Sequence, residues 1–122
     1  MDSAQAIHSF WSGFGLPAYD ENTTPDNVNF PYITYELALD NITGGNISLS
    51  ASLYYKSYSW SEITKKSEEI HKKIGLGGVI IQVDGGVIWI KTGTPFSRRM
   101  DEPNDDSIRR VVLNISVEFL TI

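Results

Sequence analysis

The sequence predicts an α+β domain: one mostly antiparallel sheet of about five strands, with two helices packed over one of its faces. Three observations carry that expectation. Long runs alternate apolar and polar residues with the period of a half-buried strand. Two other stretches repeat their apolar residues at three-and-four spacing, as on one side of a helix. The order along the chain is helix, strand, strand, helix, strand, strand, strand, with Gly, Pro and Asn at the breaks.

Asp2 or Ser3 can cap the first helix, and Gln5, three residues after Asp2, completes a capping box. Ile7, Phe10, Trp11 and Phe14 then make a strongly aromatic face, and Gly13, Gly15 and Pro17 end the helix. Residues 18–29 are polar, contain Pro25 and read as a surface loop. In YITYELALD, Ile33, Tyr35, Leu37 and Leu39 fall on one side, with Thr34, Glu36, Ala38 and Asp40 on the other. A turn over residues 41–46, containing Gly44-Gly45, joins it to ISLSASLYYKSYS, where Ile47, Leu49, Ala51, Leu53 and Tyr55 alternate with polar partners. Two such neighbours should form an antiparallel hairpin.

Ser59 and Glu62 have the spacing of a capping box for the second helix. Trp60, Ile63, Ser67, Ile70 and Ile74 mark its buried stripe, and Gly75 stands where a left-handed C-terminal cap is wanted. Val79–Val83 and Val87–Lys91 are short strands around Asp84-Gly85-Gly86, residues that tolerate positive φ. Residues 92–107, TGTPFSRRMDEPNDDS, read as a long polar loop. In the last strand Val111, Leu113, Ile115, Val117 and Phe119 face one way, and Arg110, Val112, Asn114, Ser116 and Glu118 the other. A dozen residues at about 3.4 Å each reach roughly 40 Å, so this strand is expected to overhang its neighbours.

The chain of 122 residues is long enough for one domain, residues 1–122, and too short for two ordinary ones. It has no cysteine, which excludes disulfides, thiol catalysis and thiolate metal sites. A net charge of -5 argues against a protein that grips nucleic acid by neutralising phosphates. Lys65, Lys66, Lys72 and Lys73 alternate with Glu62, Glu68 and Glu69, as on a solvated helix face. MDSAQAIHSFW has neither the basic nor the apolar region of a signal peptide. No apolar stretch approaches the roughly 20 residues that span a bilayer. The Asn-x-Ser/Thr triplets at Asn22, Asn41, Asn46 and Asn114 therefore carry no weight, and the expected place of synthesis is the cytosol.

No constellation in the sequence offers catalysis, a metal site or a cofactor site. His8 and His71 lie far apart in sequence and have no ligand-like carboxylates beside them. Asp101-Glu102-Pro103-Asn104-Asp105-Asp106 lacks the alternating oxygens, central Gly and distal Glu of a calcium loop. No Gly-rich phosphate motif opens a helix. The expectation is a protein that is not an enzyme and takes no cofactor.

What the sequence does offer is contact chemistry. Phe96, Arg98 and Arg99 precede Asp101, Glu102, Asp105 and Asp106, and Arg109-Arg110 follow them. Arg pairs bidentately with carboxylates across interfaces. These groups either pair within one subunit and pin the loop, or pair between copies in a ring.

The stretches FWSGFGLPAY, FPYITYEL, LSASLYYKSYSWSEI and DGGVIWIKTGTPFSRRMDEPNDDSIRRVVLNISVEFL resemble a family encoded in phages and prophages of Gram-positive bacteria. That family is often labelled minor capsid protein and lies beside tail genes. Its element order is similar to the tail terminators of long-tailed phages. The resemblance implies a terminator-like fold and a hexameric ring that caps the tail tube, ends its polymerisation and presents the head-joining surface. The implied partners are copies of this chain, the major tail tube protein and a head-completion or neck protein. DNA would pass through without specific binding, no membrane would be involved, and the chain would sit in a virion assembled in the host cytoplasm.

Three expectations join this resemblance to the residues. Long strands with unpaired backbone groups would supply the edge for ring closure. Asp101, Glu102, Asp105 and Asp106 would face the channel or a ring end, where acids repel phosphate. At least one of Arg98, Arg99, Arg109 and Arg110 would pair between subunits. The alternatives are another neck component, such as a head-closure or tail-completion protein, and a module binding a ligand through Tyr54, Tyr55, Tyr58 and Trp60.

Overall fold

The computed structural model describes residues 1–38 and 46–121. Helix α1 covers Ser3–Ser12 and helix α2 Ser61–Ile74. The strands are β1 (Ala18–Asp20), β2 (Tyr32–Tyr35), β3 (Asn46–Lys56), β4 (Val79–Val83), β5 (Gly86–Met100) and β6 (Ile108–Thr121). They form one sheet in the order β1-β2-β3-β6-β5-β4, parallel only between β1 and β2. Ala6, Ile7 and Trp11 of α1 share one core with Ile63, Ile70 and Ile74 of α2 and the inward strand residues. The helices thus cover one face, and the sheet curls so that α1 touches both edge strands.

Local chemistry explains most of these boundaries. Asp2 accepts from the Gln5 N–H at 2.8 Å, and the Gln5 side-chain oxygen accepts from the Asp2 N–H at 3.0 Å, so the capping box of α1 is present. The box expected for α2 is not. Trp60 is the N-cap residue, and Ser59 Oγ accepts from the Ser61 N–H instead. The Ser59 N–H in turn donates to Ser57 Oγ, which leaves Glu62 no partner at that position. The buried stripe of Ile63, Ser67, Ile70 and Ile74 is as expected. Gly75 closes α2 at φ 68°, a conformation open only to Gly without strain.

Strand β1 lies inside the stretch read as a loop, which raises the strand number to six. It is held by Ile33 N–H on Pro17 O at 2.8 Å and Glu21 N–H on Tyr35 O at 2.9 Å. Strand β2 is shorter than its alternating pattern. At Glu36 the carboxylate accepts from the Ser50 N–H at 2.7 Å and from Ser50 Oγ at 2.6 Å, taking the place of a backbone partner. Leu39, Asp40 and the Gly44-Gly45 turn lie outside the described residues. The antiparallel pairing of β2 with β3 is as expected.

The larger correction concerns residues 92–107. Strand β5 continues to Met100, so Phe96, Arg98 and Arg99 stand on a strand and the connecting loop is confined to residues 101–107. The register slips between Thr92, opposite Ile115, and Ser97, opposite Leu113. The bulge holds Gly93, whose Cβ would lie 3.0 Å from Asn114, and Pro95, whose carbonyl accepts from Asn114 Nδ2 at 2.9 Å. Strand β6 does not overhang. It pairs with β3 from Ile108 to Glu118 and with β5 from Arg110 to Thr121, which makes it a central strand. The sheet edges are the short strands β1 and β4, plus the part of β5 that β4 does not reach.

Candidate assembly surface

At one end of the molecule the exit of β3, the start of α2 and the β5–β6 loop converge. Arg109 faces inward opposite Tyr55, and Arg99 opposite Val111, because alternate residues of a strand share a face. Both guanidinium groups therefore reach the Trp60 ring, at 4.7 Å for Arg99 and 5.1 Å for Arg109. Arg109 is fixed further by donating to Tyr58 O and Asp106 O, each at 2.8 Å. Its Nε is buried without a partner among the described residues. The Tyr58 carbonyl is thus anchored while the residue as a whole is 74% exposed.

Arg110 faces the opposite side of the sheet. It donates to Ser52 Oγ at 3.1–3.2 Å, stands over the Tyr54 ring and lies 3.9 Å from Glu102. This covers Ser52, which is buried although it is on the face away from the helices. The Glu102–Arg110 pair is half-exposed, so its contribution is at most about 1 kcal/mol.

The acidic loop has an internal order. Asp105 accepts from Ser107 Oγ at 2.6 Å and from the Ser107 N–H at 2.9 Å. The hydroxyl bond, then the backbone bond, holds its carboxyl below the usual 3.8. Ser107 O accepts from the Ser57 N–H at 2.7 Å, which ties the loop to the end of β3. Asp101 and Asp106 remain exposed, and Glu102 is half-buried.

Arg99, Arg109 and the acidic loop are therefore brought together around Trp60. Phe96 is not with them: it stacks on His71 of α2, with ring centres 4.6 Å apart. Arg98 is exposed and lies opposite Val112, on the face away from the helices. The aromatic cluster considered for ligand binding does not converge. Tyr55 is in the core, Tyr54 stacks on Tyr32 at 4.8 Å, and Tyr58 points outward. Burial pushes the Tyr55 hydroxyl above its ordinary pKa, helped by Glu62 and Glu69.

A groove of about 690 Å³ runs between the two helices above β4, lined by Ala6, Phe10, Phe14, Val79, Ile81 and Lys72. The sequence pattern assigns most of these to helix faces and a strand, and it carries no sign that the helices leave a gap. Among the described residues, no helix is long and apolar enough to cross a membrane.

Neither a protein-family model nor a curated protein matches this chain. The fold does have a solved counterpart in the virion of a native gene transfer agent particle. That chain is 11% identical, with a TM-score of 0.56 over 97% of this chain and 94% of its own length. The likeness is one of fold, and it extends over nearly all of both chains.

Proposed function

We propose that this chain is a structural protein of a phage-type virion, and within it a tail terminator. Copies form a ring, hexameric by the family resemblance, that seats on the end of the tail tube, stops its growth and offers a surface to the neck. The observation that carries this reading is the end-to-end likeness of fold to a chain of a virion particle. Two features of the surface support it. Tyr58, Trp60 and Arg99 gather at one end of the molecule, and these are the residue types that dominate protein contacts. The exposed Asp101 and Asp106 at the same end would repel DNA phosphates in a channel.

On this reading the protein acts by shape and turns over no substrate. Its partners are further copies, the tube protein and a head-completion protein. Electron microscopy of tails made with and without it provides the test. Overlong tubes should form in its absence and regain their set length when it is restored. Tails of normal length without it would overturn the proposal. The helix–helix groove favours one other reading, a ligand-binding module, which would show as a ligand-dependent rise in melting temperature together with unaltered tails.

A further inference from the structure

The charges of this chain are sorted by flank. No Lys or Arg precedes Lys56, while Asp2, Asp20, Glu21, Asp26, Glu36 and Asp40 do. All ten basic side chains lie from Lys56 onward, mixed with the remaining acids. Among the described strands and the turns that join them, the sheet order preserves this division in space. Strands β1, β2 and β3 make one half and end at Lys56, and β6, β5 and β4 make the other. The β1–β2 flank carries acids, with Lys56 at the end of β3 and over Phe30 as the one cation of that half, while Lys91 and the arginines stand on β5 and β6.

The margins of the two halves differ as well. Beyond β1, Glu21 and Asp26 are exposed on a turn tied down by Asp20, whose Oδ1 accepts from the Asn22 N–H and whose carbonyl accepts from the Thr23 N–H and Thr24 Oγ1. On the other side, β4 pairs only with Gly86–Ile90 of β5. From Lys91 to Met100, β5 has no strand on its outer side among the described residues. Arg98 and Arg99 are exposed on that stretch, and neither enters an ion pair among the described residues. Arg109 and Arg110 already spend donors on partners within the chain, whereas Arg99 only stands over the Trp60 ring, which leaves its N–H fork for a carboxylate.

We propose that copies of this chain join side by side, head to tail, with Glu21 and Asp26 of one set against Arg98 and Arg99 on the uncovered β5 margin of the next. The proposal rests on the ring reading and names the contact that closes the ring. The two surfaces are different, so the contact is heterologous and repeats by rotation until the ring shuts. Each Arg presents a planar fork to a carboxylate, which sets orientation as well as attraction. A two-fold contact through either surface would oppose like charges. The groups are exposed and screened over about 8 Å at physiological ionic strength, so the association weakens as salt is raised.

The absence of native cysteine makes the contact directly testable. Single variants E21C and R98C are mixed with a short bis-maleimide crosslinker, as concentrated free protein and in particles complemented with both. The expected product is the mixed dimer, in excess of the product from either variant alone, and a ladder of multimers from the double variant. Homodimers in excess, or a yield no higher than for E21C with K65C on the exposed side of α2, would overturn the proposal. In the companion experiment, R98E/R99E and E21K/D26K each weaken association at least about tenfold, and the four changes combined restore it. Failure of that rescue also overturns it. Should the contact fail while tubes still overgrow without the protein, only the assigned surface is wrong and the terminator reading stands.

Discussion

In the β1–β2–β3 half of the sheet side chains tie up the ends of the marginal strands, whereas the β6–β5–β4 half leaves much of β5 without an outer strand among the described residues. On the first side Glu36 captures the Ser50 N–H, and Asp20 organises the turn after β1. On the second side the strand runs on past the end of β4, carrying Arg98 and Arg99. Exposed strand edges are ordinarily blunted because they recruit other chains. Here one margin is blunted and acidic, and the other is open and basic. An open margin much longer on one side than on the other gives edge-to-edge association a direction.

The two halves nevertheless share one core, since β3 and β6 are paired along eleven positions from Asn46 to Lys56. Trp11→Ala tests that sharing most severely. Trp11 is 1% exposed and packs edge-on against Phe10, so truncation should cost about 3–5 kcal/mol. Urea unfolding should remain a single transition at lower denaturant. Two separated transitions would mean that the acidic half unfolds independently of the other.

Gly78→Ala strikes the basic half. Gly78 has φ 78°, and an added Cβ would come within 2.6 Å of Ile90 O and Trp89 Nε1. The conformational strain and displaced Trp89 should cost about 1–3 kcal/mol. Trp89 Nε1 also donates to Gly77 O at 2.8 Å, so tryptophan fluorescence should report loss of that bond. An unchanged melting temperature and spectrum would refute this account of the α2–β4 connection.

Ser107→Ala has the smallest effect and touches only the β5–β6 loop, which Ser107 O ties to the Ser57 N–H at the end of β3. The native hydrogen bonds lower the Asp105 pKa, so they stabilise the fold above its ordinary value of 3.8 and lose that effect as pH falls through the lowered one. In the variant the Asp105 titration, followed by carboxyl NMR, should move up toward the ordinary value. Native and variant stabilities should differ near neutral pH and converge in acid. An unmoved titration would show that Ser107 does not hold the loop.

Periodicity alone was enough for α1, the buried stripe of α2 and the inward faces of β3 and β6, because each pattern is local and long enough to repeat. The Asp2–Gln5 box was equally legible, since all its atoms lie within one turn. The Ser59–Glu62 spacing misled because Ser57 and Ser59 found nearer donors in their own turn. Among the assembly residues, Arg98, Arg99, Arg109, Arg110 and the acids could be singled out by type. Which arginines are engaged could not, because Trp60, Tyr58 and Ser52 come from other elements.

The chain's own pattern therefore settles its helices, its long strands and the segregation of charge about Lys56. Folding together settles the rest: β1 exists because Ile33 and Tyr35 bond the backbone on either side of it, and β5 reaches Met100 because β6 pairs with it beyond a bulge. Strand order converts a charge division in sequence into two opposite flanks. Backbone pairing between distant segments leaves little periodic trace when a strand is three residues long or broken by Gly93 and Pro95, so those features emerge only when the partners meet.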